Sequence, residues 1–172
     1  FGKSVSISGD GTLAIVGANF WDAPYTYDGQ TFYFSNAGGA YVFIRSGSGS
    51  NPWTQEQQLA DPNRKGNDTS GVSVSISSDG LYAIAGIPGD DIGGSLAGAA
   101  QVFVRSGGSW TQQVELVDPN ASGGDYFGQS VAISGDGLHV TVGAYGDDVP
   151  GKSDAGAAHV FARSVTSWTH TT

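Results

Sequence analysis

The apolar and polar positions of this chain fall into short runs of period two and into continuous apolar runs, and no window of helical length shows a 3.6-residue period. Val5 and Ile7 share one face of an alternating run, with serines on the other. The same alternation returns at Val74 and Ile76, and again at Val131 and Ile133, where Ala132 takes one serine position. An Asp-Gly pair follows each run and predicts a two-residue type I′ hairpin, since that turn needs positive φ at both central residues. Next comes an apolar stretch, Leu13 to Ala18, Leu81 to Ile87 or Leu138 to Ala144, as expected of a strand covered on both faces. A third run reads GGAYVFIRS, GAAQVFVRS or GAAHVFARS, and a fourth opens on Trp53, Trp110 or Trp168. In the second copy the fourth run places Trp110, Gln112, Val114 and Leu116 on one face.

These runs recur in one order, so the chain divides into repeats at 1–69, 70–126 and 127–172, the last incomplete in its fourth strand. Each repeat predicts four antiparallel strands. About 60 residues per four-stranded unit is the spacing of β-propeller blades, so the expected class is all-β, with three blades. Three blades fall short of the roughly four to eight that close a ring, so the array is expected to be part of a larger propeller, or to complete itself by association. Residues 19–36 interrupt the first repeat and hold seven aromatic rings; a shorter insertion stands around Gly47 to Asn51.

Composition narrows the function. Glycine contributes 28 of 172 residues and charged residues only 13 %, which suits strands joined by turns. The net charge is −9 with seven Lys and Arg, so a nucleic-acid partner is not expected. Cysteine is absent, which removes disulfides and thiolate metal sites. No apolar run approaches the roughly 20 residues of a membrane span.

The succession FGQSVAISGDG, VGAYGDD, AGAAHVFARS and SWT resembles the FG-GAP repeat in its compact form, the repeat class that also builds the propeller of integrin α subunits. The resemblance covers nearly all of the chain outside the two insertions. It implies an extracellular or cell-surface propeller for adhesion or binding, not an enzyme. Integrin-type repeats carry a calcium loop between their first two strands. Here the connection is a tight Ser-Gly-Asp-Gly or Ser-Ser-Asp-Gly turn, too short to offer the six to eight oxygens that Ca²⁺ takes.

Strand direction gathers the acids at the opposite end. The second-to-third strand loops hold Asp90 and Asp91, then Asp147, Asp148 and Asp154; the links between repeats add Asp61, Asp68, Asp118 and Asp125. Two readings stand side by side for the first five: hard oxygen ligands for Ca²⁺, or carboxylates capping their own turns. The same links carry two N-glycosylation sequons, at Asn67 and Asn120. His139, His159 and His170 show no ligand spacing, and no nucleophile elbow or paired-acid site appears. Within the aromatic insertion, Asp28-Gly29 predicts a small hairpin bringing Tyr25, Tyr27 and Phe32 together, and Trp21, Tyr25, Tyr27, Phe32 and Tyr33 are its candidate ligand or interface residues. The expected function is adhesion or structural assembly through protein partners or self-association. The alternative is a lectin-like module stacking these rings on sugars.

Overall fold

Because side chains in a period-two run point to opposite faces, one run can bury two unlike surfaces, and blades that stack face to face need both. The computed structural model describes residues 1–47 and 52–171, so the second insertion lies, from residue 48, outside the described residues. The strands in chain order are β1 (Val5–Ile7), β2 (Leu13–Gly17), β3 (Ala23–Tyr27), β4 (Gln30–Phe34), β5 (Ala40–Arg45), β6 (Trp53–Leu59), β7 (Val74–Ile76), β8 (Tyr82–Ile87), β9 (Ala99–Ser106), β10 (Ser109–Leu116), β11 (Ser130–Ile133), β12 (His139–Ala144), β13 (Ala157–Ser164) and β14 (Ser167–His170). They form three four-stranded antiparallel sheets, β1-β2-β5-β6, β7-β8-β9-β10 and β11-β12-β13-β14, plus the separate hairpin β3-β4. Among the described residues there is no helix long and apolar enough to cross a membrane. The three sheets are propeller blades in an unclosed array.

Each blade has a leading face, carrying the apolar residues of its first strand, and a trailing face opposite. Leu13, Ile15, Val42 and Leu59 on the trailing side of blade one pack with Val74, Ile76, Phe103 and Trp110 on the leading side of blade two. Ile84, Val102 and Leu116 then meet Val140, Val142 and Phe161 of blade three. Among the described residues, only the middle blade is covered on both faces. Its second strand is accordingly buried almost throughout, whereas β2 and β12 alternate in burial and depart from the two-sided coverage their sequences predict.

Two close contacts hold the blades in register. Gly17 and Gly86 lie so near the next blade that an added Cβ would stand 1.9 Å from the Gly71 carbonyl oxygen and 1.8 Å from that of Gly128. Beside them, serines in and just before the first strands reach across: Ser4 Oγ donates to Gly71 O, Ser6 Oγ accepts from Ile76 N, and Ser73 and Ser75 accept from Val131 N and Ile133 N.

The second contact explains an error in the sequence reading of the fourth strand. A bulge leaves Gln113 without a cross-strand partner, so Trp110 faces blade one while Val114 and Leu116 face blade three, instead of sharing a face. Glu56 is the bulged residue of β6. The bulged side chains bind the next blade's tryptophan: Trp110 Nε1 donates to Glu56 at 2.8 Å, and Trp168 Nε1 to Gln113 at 2.9 Å. Arg105 also pairs with Glu56.

The Asp-Gly connections correct a second expectation. Gly11 N donates to Ser8 O across a four-residue loop, and only the glycine of the pair has positive φ, 67° at Gly11, 67° at Gly80 and 65° at Gly137. The aspartate instead ties the turn: Asp10 accepts from the Ser8 hydroxyl and from Thr12 N, at 2.6 and 2.9 Å. Asp79 and Asp136 repeat the pattern.

Gly86→Ala is expected to lower stability by about 3 kcal/mol or more in urea unfolding, because the clash is with backbone. The equivalent Gly143→Ala, whose Cβ would meet the side chain of Ser130 at 2.4 Å, should cost less than about 1 kcal/mol at low protein concentration. For Asp10, the Ser8 and Thr12 bonds hold its carboxyl at about 2, below the usual carboxylate value. A lowered native value means its stabilisation is complete above about pH 4 and fades as pH falls toward 2. The melting-temperature deficit of Asp10→Ala should therefore be constant from about pH 5 to 7 and shrink below 4.

Candidate functional site

Antiparallel order brings the second-to-third strand loops and the inter-blade links to one end, and there the acids sort into two kinds. Asp22, Asp91 and Asp148 are exposed and each caps its own loop, accepting from the backbone N–H of Asn36, Leu96 and Asp154 at 2.8, 3.1 and 2.8 Å. Each donor has positive φ, 53°, 58° and 51°, so the carboxylate holds a left-handed residue in place. Asp154 is also exposed. Asp91, Asp148 and Asp154 thus stand apart from Asp90 and Asp147.

Asp90 and Asp147 turn inward, each joining the preceding inter-blade link. Asp90 groups with Asp61 and Glu115, and Asp147 with Asp118 and His159, with one ligand atom of each within 4.8 Å of the others in both groups. Asp61 Oδ1 accepts from Asn63 N and Asp118 Oδ1 from Asn120 N, both at 2.8 Å. Their Oδ2 atoms are buried and accept no hydrogen bond among the described residues. Around the first group, burial raises the carboxyls of Asp90 and Glu115, and the charge of Asp61 adds to both shifts. Burial likewise pushes neighbouring Asp68 up to about 6, opposed by its bond from Lys65 N. Burial raises Asp147 in the second group, with the charge of Asp118 adding to it.

One position in the third strand of each blade decides what these acids meet. In blade three it is His159, whose Nε2 lies 3.1 Å from Asp147 Oδ2 and 3.6 Å from Asp118 Oδ2. His170, at the other ring nitrogen, approaches to 3.3 Å. In blade two it is Gln101, fully buried, whose Nε2 donates to Glu115 at 3.3 Å while its Oε1 is unpartnered. In blade one it is Tyr41, edge-on to Trp21 at 6.4 Å where the other loops have Asp90 and Asp147. Sequence reasoning missed Glu115, Gln101 and His159 as members of this site. The signal was present: Tyr, Gln and His alternate at one position of a motif, GGA-x-VF in the first copy and GAA-x-VF in the other two, that is otherwise nearly uniform.

The aromatic insertion forms the expected hairpin, with a two-residue Asp28-Gly29 turn at φ 49° and 71°. Tyr25 stacks on Phe32 and more closely on Phe34, at 5.5 and 4.3 Å, while Tyr27 is exposed. Trp21 is turned onto Tyr41, and Tyr33, opposite Pro24, lies on the other face of the hairpin. The hairpin base is fastened to the first link: Arg64 donates to Pro24 O, and Asn67 N to Ser35 O. The sequon residues Asn67 and Asn120 are both exposed on links.

A family model described as the FG-GAP repeat matches residues 53–103 and 110–161. Each match begins at or beside a recurrent tryptophan and runs through the link into the first three strands of the following blade, so it spans the blade junction. No curated protein matches the chain.

Tyr25→Ala should cost about 1 to 1.5 kcal/mol of stability through the two lost stacks, and Tyr27→Ala less than about 0.5 kcal/mol. Paired urea titrations of the two variants check this.

Proposed function

The chain belongs to the FG-GAP repeat family, generally non-catalytic propeller repeats typical of extracellular and adhesion-related proteins, and from that premise we propose that it is an extracellular, non-catalytic module for structural assembly. Its working surfaces are the two blade faces left uncovered among the described residues, and what fits them is a further blade of the same repeat, which a second copy of the chain can supply. One observation carries this reading. Phe1, Val5 and Ile7 on the open leading face of blade one are 76 %, 70 % and 57 % exposed, whereas Phe127 in blade three is 0 % and Val74 and Ile76 in blade two are 6 % each. Phe1 nonetheless sits edge-on to Phe43 at 6.0 Å as Phe127 does to Phe161 at 6.1 Å. The face is therefore built like the covered ones. Covering it would stabilise the contact by about 1.5 to 3 kcal/mol per large side chain.

The trailing face of blade three supplies the matching half. Gly143 stands where Gly17 and Gly86 receive the carbonyl of a following blade, and Ser130 stands where Ser4 and Ser73 reach across. Around them lies an open groove of about 420 Å³, lined by Ser130, Gly143, Ala144 and Ala158 among others. Leading face on trailing face is a head-to-tail contact, which closes into a ring or continues as a filament. A sugar site is less well supported, because Tyr27 and Tyr33 are on opposite faces of the hairpin and do not converge.

Light scattering on the purified 172-residue chain should give a mass of at least twice 17.6 kDa. Ile7→Glu on one face and Gly143→Ala on the other should each return it to a monomer with unchanged circular dichroism. A wild-type chain that is monomeric at roughly 100 μM, or self-association indifferent to both substitutions, would refute the reading.

A further inference from the structure

The two buried acid groups occupy equivalent junctions yet differ in how their negative charge is met. In the second junction a ring nitrogen of His159 lies between Asp147 and Asp118. At the first, Gln101 stands in that place and turns its amide nitrogen to Glu115, so no donor reaches Asp61 Oδ2. Asp61 is 1 % exposed and Asp90 5 %, and among the described residues no Lys, Arg or His lies within ion-pair distance of Asp61, Asp90 or Glu115. Lys65 acts on Asp90 only at longer range, and Asp68 adds a further acid nearby. The Arg64 guanidinium is directed to the carbonyls of Asp61 and Pro24. Leaving such a group uncompensated is costly, since a buried charge without a partner loses its hydration for nothing.

We propose that this junction between the first two blades binds one Ca²⁺, through Asp61, Asp90 and Glu115 with the side-chain carbonyl of Gln101 beside them. Every donor is a hard oxygen, the type Ca²⁺ takes. The spacing agrees: ligands on opposite sides of Ca²⁺ stand about 4.6 to 5.2 Å apart when each bond is about 2.3 to 2.6 Å, and one oxygen from each acid lies within 4.8 Å of the others. Mg²⁺ is smaller and usually takes only one or two carboxylates. The ion would join the link (Asp61), the loop (Asp90) and the fourth strand (Glu115), and so fasten blade one to blade two. In blade three the imidazole occupies the corresponding space, which restricts the site to one junction.

Calorimetric titration of the chelator-treated chain with CaCl₂ tests this. The expected result is one Ca²⁺ per chain and a raised melting temperature. Asp61→Asn and Asp90→Asn should each weaken binding at least about tenfold, since loss even of a group behind the ligands typically costs 10- to 100-fold. Gln101→His, which copies the third blade, should abolish uptake and preserve the circular dichroism spectrum. Asp91→Asn, on the exposed loop, should bind as the wild type does. Absence of Ca²⁺ uptake, uptake of Mg²⁺ in its place, binding unaffected by both Asp61→Asn and Gln101→His, or loss of binding in Asp91→Asn would each overturn the proposal.

Discussion

The approach of one backbone to another at Gly17 and Gly86 is the constraint on which the rest of the structure depends. A carbonyl oxygen of the following blade occupies the space any side chain would need, so only glycine lets the first strands come close enough for serines to bond across them. That distance brings the fourth strands into reach, where a bulged Glu56 or Gln113 meets the next tryptophan. The apolar clusters then fill the space between. Hydrophobic burial supplies much of the stabilisation, but it is not directional. The glycine contact and the tryptophan bonds set the register in which it is realised.

The same stacking creates the acidic junctions. Each link must descend from the fourth strand of one blade to the first strand of the next, and it carries two aspartates past the loop of the following blade. Asp61 and Asp68 thus come near Asp90, and Asp118 and Asp125 near Asp147. One third-strand position then sets the chemistry. Tyrosine against Trp21 gives an uncharged aromatic contact, histidine gives a nitrogen between two carboxylates, and glutamine leaves a carboxylate oxygen and its own carbonyl oxygen unpartnered. A common scaffold therefore carries three local environments, and the difference between them rests on single residues.

Fold class, repeat number and strand order were legible in the sequence because they follow from period-two patterning and recurrence, both properties of neighbouring residues. So was the Asp28-Gly29 hairpin, whose turn depends on two residues alone. The segregation of acids to one end also followed, from strand direction. Three things escaped. A bulge moves Val114 and Leu116 to the face opposite Trp110, because one unpaired residue reverses the alternation without any mark in the apolar pattern. The Asp-Gly turns use a four-residue loop, since the serine hydroxyl bonded to the aspartate competes with the two-residue form. And Asp90 and Asp147 separate from Asp91 and Asp148, although adjacent in the chain, because neighbouring loop residues point in different directions.

What the sequence determined by itself was the unit: four strands, their turns, and the faces that must be covered. Tertiary structure alone decided which faces are covered and which acids are buried. Val5 and Val74 occupy the same place in the repeat, yet one is 70 % exposed and the other 6 %. Asp61 and Glu115 are separated by most of a repeat, yet lie in one cluster. The physical reason is common to both. Strand formation is governed by local alternation, whereas burial and charge at a junction depend on which blade stands next to it.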